Sequence, residues 1–93
     1  MVLFTDDDDG YLCWTKNHPA GYVLNLRTLP DPAYVVLHRA SCGVIAASRS
    51  SGAYTCRGYR KAVSDELGEL SDFARKEGRS DGSFSKHCGL CKP

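Results

Sequence analysis

Apolar and polar positions change period several times along the 93 residues, and each change marks an element. A short apolar stretch, Met1-Val2-Leu3-Phe4, gives way to Asp6-Asp7-Asp8-Asp9. Aspartate side chains accept the free N–H groups of a first helical turn and favour the positive end of its dipole. A helix is therefore predicted to enter there and to run through Tyr11, Leu12, Cys13 and Trp14, with Cys13 on its buried side. It stops near Asn17 or His18, because Pro19 lacks an N–H and disfavours helix in the residue before it. A calcium loop would need spaced oxygen ligands and a distant glutamate, and the acidic run has neither.

Alternation with period two follows. Tyr22, Leu24 and Leu26 share one face of a strand, and Val23, Asn25 and Arg27 the other. The prolines of Leu29-Pro30-Asp31-Pro32 break it, and Tyr34-Val35-Val36-Leu37-His38 resumes as a second strand, apolar on both faces and hence expected at the sheet centre. The short link suits an antiparallel pair. Val44-Ile45-Ala46-Ala47 is a short apolar stretch, 48–52 reads as a loop, and Ala53-Tyr54-Thr55-Cys56 as a third strand or extended segment. A last helix is predicted from Ser64 or Asp65 to Gly78. Leu67, Leu70, Phe73 and Ala74 form its apolar stripe, Arg75 and Lys76 complement its C-terminal end, and Gly78 suits the cap. The sum is one α+β domain over 1–93: a short antiparallel sheet, two helices and a C-terminal zinc knuckle.

Composition makes that domain ordinary but thin-cored. Hydrophobic residues are 42% and charged ones 25%, a globular balance, yet a chain this short hides only about 60–65% of its surface on folding. No apolar run is long enough to span a bilayer. The acidic N-terminus is unlike a secretory signal, so a cytoplasmic location is expected. Charge totals conceal an asymmetry: twelve Lys and Arg against eleven Asp and Glu give +1, but without Asp6 to Asp9 the balance is +5.

Small domains often need a staple, and five cysteines with three histidines offer one. The tail, His87-Cys88-Gly89-Leu90-Cys91-Lys92-Pro93, contains CxxC, whose cysteines can both point into a tight turn with backbone N–H groups reaching the sulfurs. With two residues beyond it, it does not open a helix as thioredoxin-like motifs do. The best second half is His38-x-x-x-Cys42, leaving a firmly packed strand. Together His38, Cys42, Cys88 and Cys91 make a closed Cys3His set suited to structural Zn2+, with Cys56 or His87 as substitutes for His38. The odd cysteine count weighs against a disulfide scaffold.

Chemistry beyond the metal is sparse. No Gly-rich phosphate loop, HExxH or GxSxG occurs, which argues against an independent enzyme or a small-molecule cofactor. Arg49, Arg57, Arg60 and Lys61 follow one another without an intervening acid, and Tyr54 and Tyr59 interleave with them. Tyrosine faces stack on unpaired bases while cations hold phosphates. Arg49, Arg57, Tyr59, Arg60 and Lys61 are thus the candidate nucleic-acid-binding residues. The alternative partner is another protein, met through an exposed apolar surface.

Two resemblances bear on these sites. Gly21-Tyr22-Val23-Leu24-Asn25, Leu37-His38-Arg39-Ala40-Ser41-Cys42, Tyr59-Arg60-Lys61 and Cys88-Gly89-Leu90-Cys91-Lys92-Pro93 resemble a small bacterial domain found in proteins of variable architecture. That resemblance carries no established activity and implies that His38, Cys42, Cys88 and Cys91 belong together. Gly21-Tyr22-Val23 with Tyr34-Val35-Val36 is loosely similar to the hairpin of GIY-YIG nucleases, although Val36 replaces the expected glycine. The second likeness implies a degenerate metal-assisted nuclease in which Arg39 or Arg49 and Glu66 or Glu69 would serve.

Overall fold

A computed structural model describes residues 1–46, 54–55 and 58–93. The acidic run does what its chemistry predicts. Asp7 caps helix α1 (Asp8–Asn17), its carboxylate accepting the Gly10 N–H at 2.9 Å. Asp8 reaches sideways and accepts the backbone N–H and the hydroxyl of Thr55, each at 2.7 Å. The buried face of α1 carries Tyr11 and Thr15, one turn apart. Cys13 lies on the opposite side and is exposed, which corrects its expected burial.

Strands β2 (Tyr22–Arg27) and β3 (Val35–Arg39) form the predicted antiparallel pair, with Leu24 opposite Leu37. Strand β4 (Tyr59–Ser64) pairs with the other edge of β2, and β1 (Val2–Phe4), built from the apolar start, adds beyond β4. Strand β5 (Lys86–His87) runs parallel to β3. The order is β1-β4-β2-β3-β5, so β2 is central and β3 is flanked on its outer side by the two-residue β5 and the residues around it. The parallel member makes the sheet mixed rather than purely antiparallel.

Of the segment 53–56, expected to be extended, only Tyr54 and Thr55 lie within the described residues. Tyr54 and Thr55 form a bend, and the ladder begins after Gly58, whose φ of 95° is open to glycine and costly for other residues. Arg60 and Lys61 disguise this strand, because both cations are buried. On one sheet face Lys61 Nζ donates to Asn25 Oδ1 and to the Tyr54 carbonyl, each at 2.7 Å. On the other, Arg60 Nε donates to the Arg27 carbonyl and its guanidinium pairs with Glu77.

The sheet separates two apolar cores. Tyr11, Val23, Ala40, Ile45, Tyr54 and Val63 pack on one side. Leu24, Leu26, Leu37, Ala62, Leu70 and Ala74 pack on the other, beneath helix α3 (Leu67–Lys76). That helix starts later than Ser64 because Ser64 completes β4, while its hydroxyl accepts the Glu66 N–H at 2.9 Å. Gly78 ends it at φ 109°, where a Cβ would also lie 3.2 Å from the Pro32 ring. A one-turn helix, α2 (Gly43–Ala46), follows β3. Among the described residues no helix is long and apolar enough to cross a membrane.

The buried Arg60–Glu77 pair yields a stability prediction. Removing one partner strands the other charge, so Glu77→Leu is expected to cost about 3–5 kcal/mol in urea unfolding. The double variant Arg60→Met with Glu77→Leu should recover most of that loss. Equal destabilisation of single and double variants would contradict the pairing.

Candidate metal centre

Strand β3 delivers the first ligand. His38 stands opposite Val23 and is 6% exposed, so packing fixes its ring. The chain then turns: the Cys42 N–H donates to the Arg39 carbonyl at 3.0 Å and the Ala40 N–H to the Gly21 carbonyl at 2.9 Å. The turn carries Cys42 inward, where it is buried at the entry to α2. The predicted convergence of imidazole and thiolate across a turn is present.

The tail arrives by strand pairing. Val36 aligns with Lys86 and Leu37 with His87, and the Cys88 N–H donates to the Leu37 carbonyl at 2.9 Å. Cys88-Gly89-Leu90-Cys91 then closes on itself, with the Lys92 N–H donating to the Cys88 carbonyl at 3.0 Å. Arg39 clamps the turn from outside. Its backbone N–H donates to Cys91 Sγ at 3.2 Å, Nε to the Cys91 carbonyl at 3.0 Å, and Nη2 to the Lys92 carbonyl at 3.1 Å.

His38, Cys42, Cys88 and Cys91 end with their ligand atoms all within 4.8 Å of one another and could hold a metal ion. Cys42 and Cys88 Sγ are 4.0 Å apart; a tetrahedron with metal–sulfur bonds of about 2.3 Å has edges of about 3.8 Å. Both titratable environments favour the ligating forms. Backbone N–H donation, from Cys91 first and also from Leu90, holds the Cys88 thiol below its ordinary pKa against the opposing effect of burial, with Cys91 and Cys42 side chains assisting. Desolvation, then the charges of Lys61 and Lys86, lower His38 to about 4, so its imidazole is neutral near pH 7. Its Nδ1 is buried without a hydrogen-bond partner, an arrangement that costs about 1–3 kcal/mol unless something satisfies it. An ion shared with the sulfurs would give that ring a partner.

The other sequence candidates are dispersed. His87 is exposed, with Nδ1 3.4 Å from the Pro93 carbonyl oxygen, and takes no part in the cluster. Cys56, Arg49 and Arg57 lie outside the described residues. Tyr59 is half-buried, its ring 6.0 Å from that of Tyr34. Arg60 and Lys61 are 8% and 3% exposed, so they are interior residues rather than members of a surface patch. Of the nuclease set, Arg39 is engaged by the tail, Glu69 bonds to Ser64 and the N-terminal ammonium, and no bond joins Arg39 to Glu66 or Glu69 among the described residues.

One feature was not legible in the sequence. Continuous with the centre, and sharing His38 and Cys88 with it, lies a groove of about 450 Å³ with Asn25, Tyr34, Val36, Lys86 and Leu90 also on its walls. An asparagine among apolar strand positions was the available signal for it.

The geometry predicts one equivalent of metal per chain by elemental analysis. Cys88→Ser or Cys91→Ser should abolish it, and Cys13→Ser should retain it. Metal at 100 times its Kd stabilises by about 2.7 kcal/mol, and each kcal/mol moves Tm by roughly 4–8 °C in a domain this size. Chelation should therefore lower Tm by on the order of 10–20 °C. Unchanged metal content in both serine variants would refute the assignment. No family model, curated protein or solved structure matches the chain, so neither resemblance gains support beyond the residues quoted for it.

Proposed function

We propose that the chain is a nucleic-acid-binding module whose fold is closed by a structural zinc ion. Three thiolates and an imidazole are a donor set that zinc favours, and four protein ligands leave no open position for a substrate. The metal would therefore stabilise rather than catalyse.

The distribution of charge supports the partner. Between Asp9 and Asp65 the sequence has seven Lys and Arg but a single acid, Asp31, and after Asp81 it has Lys86 and Lys92 but no acid. These two stretches meet at the metal centre, around which Arg39, Lys86 and Lys92 are exposed, while Arg27, at the far end of β2, pairs with Asp31. Arg60 and Lys61 are spent on internal bonds, so the binding face is assigned to this second set, with Tyr34 and Tyr59 beside it. Exposed cations on a rigid platform attract a polyanion by releasing its counterions. A zinc-stabilised protein-interaction domain is the second reading, favoured by Leu29 and Leu90 at 77% and 78% exposure.

Fluorescence anisotropy with labelled oligonucleotides tests the assignment. Binding through about three phosphate contacts should fall with salt at a log–log slope near −2 for single strands. Lys86→Glu with Lys92→Glu should weaken it at least tenfold without lowering Tm. Absence of binding at low salt, or capture of a protein partner indifferent to salt, would overturn the nucleic-acid assignment.

A further inference from the structure

The groove beside the metal centre has a donor chemistry fixed from the core outward. In the sheet register Lys61, Asn25, Val36 and Lys86 form one row across β4, β2, β3 and β5. An ammonium group can only donate, so the 2.7 Å contact from Lys61 Nζ makes Asn25 Oδ1 an acceptor. The amide orientation is thereby set, and Asn25 Nδ2 must donate to the Tyr34 hydroxyl, 3.1 Å away. With its oxygen receiving that bond, the Tyr34 O–H proton has no acceptor among the described residues and is free to meet a ligand. Lys86 is exposed at the end of the same row, with no ion pair to any described residue. Among the described residues no carboxylate lines the groove; Val36, Ile45 and Leu90 supply apolar wall, and His38 and Cys88 belong both to it and to the metal centre.

From this we infer that the groove receives one unstacked nucleotide of a single strand, the base against the apolar wall with a ring acceptor on the Tyr34 O–H, and the phosphate at Lys86. The inference rests on the nucleic-acid reading above and specifies its ligand. A site that offers donors and a cation without a carboxylate selects an acceptor-bearing anion. Its volume falls in the range of about 300–1,000 Å³ typical of small-ligand pockets, which suits a nucleotide and is too small for a duplex. A paired base would have to leave its stack to enter, at a cost of a few kcal/mol. Single strands avoid that cost, so they are the preferred form; whether the sugar is ribose or deoxyribose is left to the probes.

The test compares a labelled ten-nucleotide oligo-dT, oligo-U of the same length, and the dT strand annealed to oligo-dA. Oligo-dT and oligo-U should each bind more tightly than the duplex at equal salt. Tyr34→Phe keeps the ring and removes the proton, and should raise Kd roughly three- to tenfold, the worth of one hydrogen bond. Leu90 is 78% exposed, so Leu90→Asp leaves the core intact while placing a carboxylate at the groove; it should weaken binding at least tenfold. If single strands bind no better than the duplex, or both variants retain wild-type affinity, binding lies elsewhere on the basic face and the groove assignment falls alone. Failure of every probe to bind the wild-type protein at low salt would remove both readings.

Discussion

The pairing of β5 with β3 is the constraint on which the site depends. Two residues of parallel ladder, extended by the Cys88 N–H to the Leu37 carbonyl, bring the end of the sequence against the exit of a strand about fifty positions earlier. Closing so long a loop costs entropy that two backbone pairs repay poorly. The remaining tie comes from the side chains they bring together: Arg39 across the turn, and a cluster of thiols with an imidazole. Backbone pairing sets the register and the cysteines hold it. A one-residue slip would turn Lys86 and Cys88 to the opposite face and dissolve the cluster.

The sheet also tolerates an unusual amount of buried charge. Lys61 and Arg60 are adjacent in β4 and therefore face opposite ways, one into each core. Each finds complete partners: Asn25 and the Tyr54 carbonyl for Lys61, Glu77 and the Arg27 carbonyl for Arg60. Buried polar networks of this kind favour a single arrangement because any other leaves a charge without its bonds. Here Lys61 fixes the bend at Tyr54, and Asp8 holds the same bend from the helix side through Thr55.

How far the sequence disclosed this depends on the range of the interactions. Capping by Asp7, the β2–β3 pair and the Gly78 stop follow from local rules, and each formed where expected within a few residues; of the predicted α3 stripe Leu70 and Ala74 are buried, whereas Leu67 is 41% exposed. The convergence of His38 and Cys42 with the terminal CxxC was legible because thiolate spacing is chemically restrictive. The β4 ladder was not, since Arg60 and Lys61 look like surface residues until Glu77 and Asn25 are known to be beside them. Strand order was equally hidden. The apolar run at 34–38 suggested a central strand, but β2 holds that place, and β3 meets α2 and the knuckle on its far side. The groove needed the fold itself, because its walls come from four separate stretches of chain.

The slender cover on the outer edge of β3 carries a consequence for the molecule in solution. The tail occupies that margin group by group: the Val35 N–H donates to Ser85 Oγ, the Val35 and Leu37 carbonyls accept the Ser85 and Cys88 N–H groups, and Cys91 Sγ accepts the Arg39 N–H; a strand margin left bare is a template for a neighbouring chain. The knuckle is therefore a shield as much as a staple. Were the tail to let go of β3, the first event would be the uncovering of an adhesive margin rather than the melting of the cores. Release of the tail would then leave an edge open to pairing between copies of the chain.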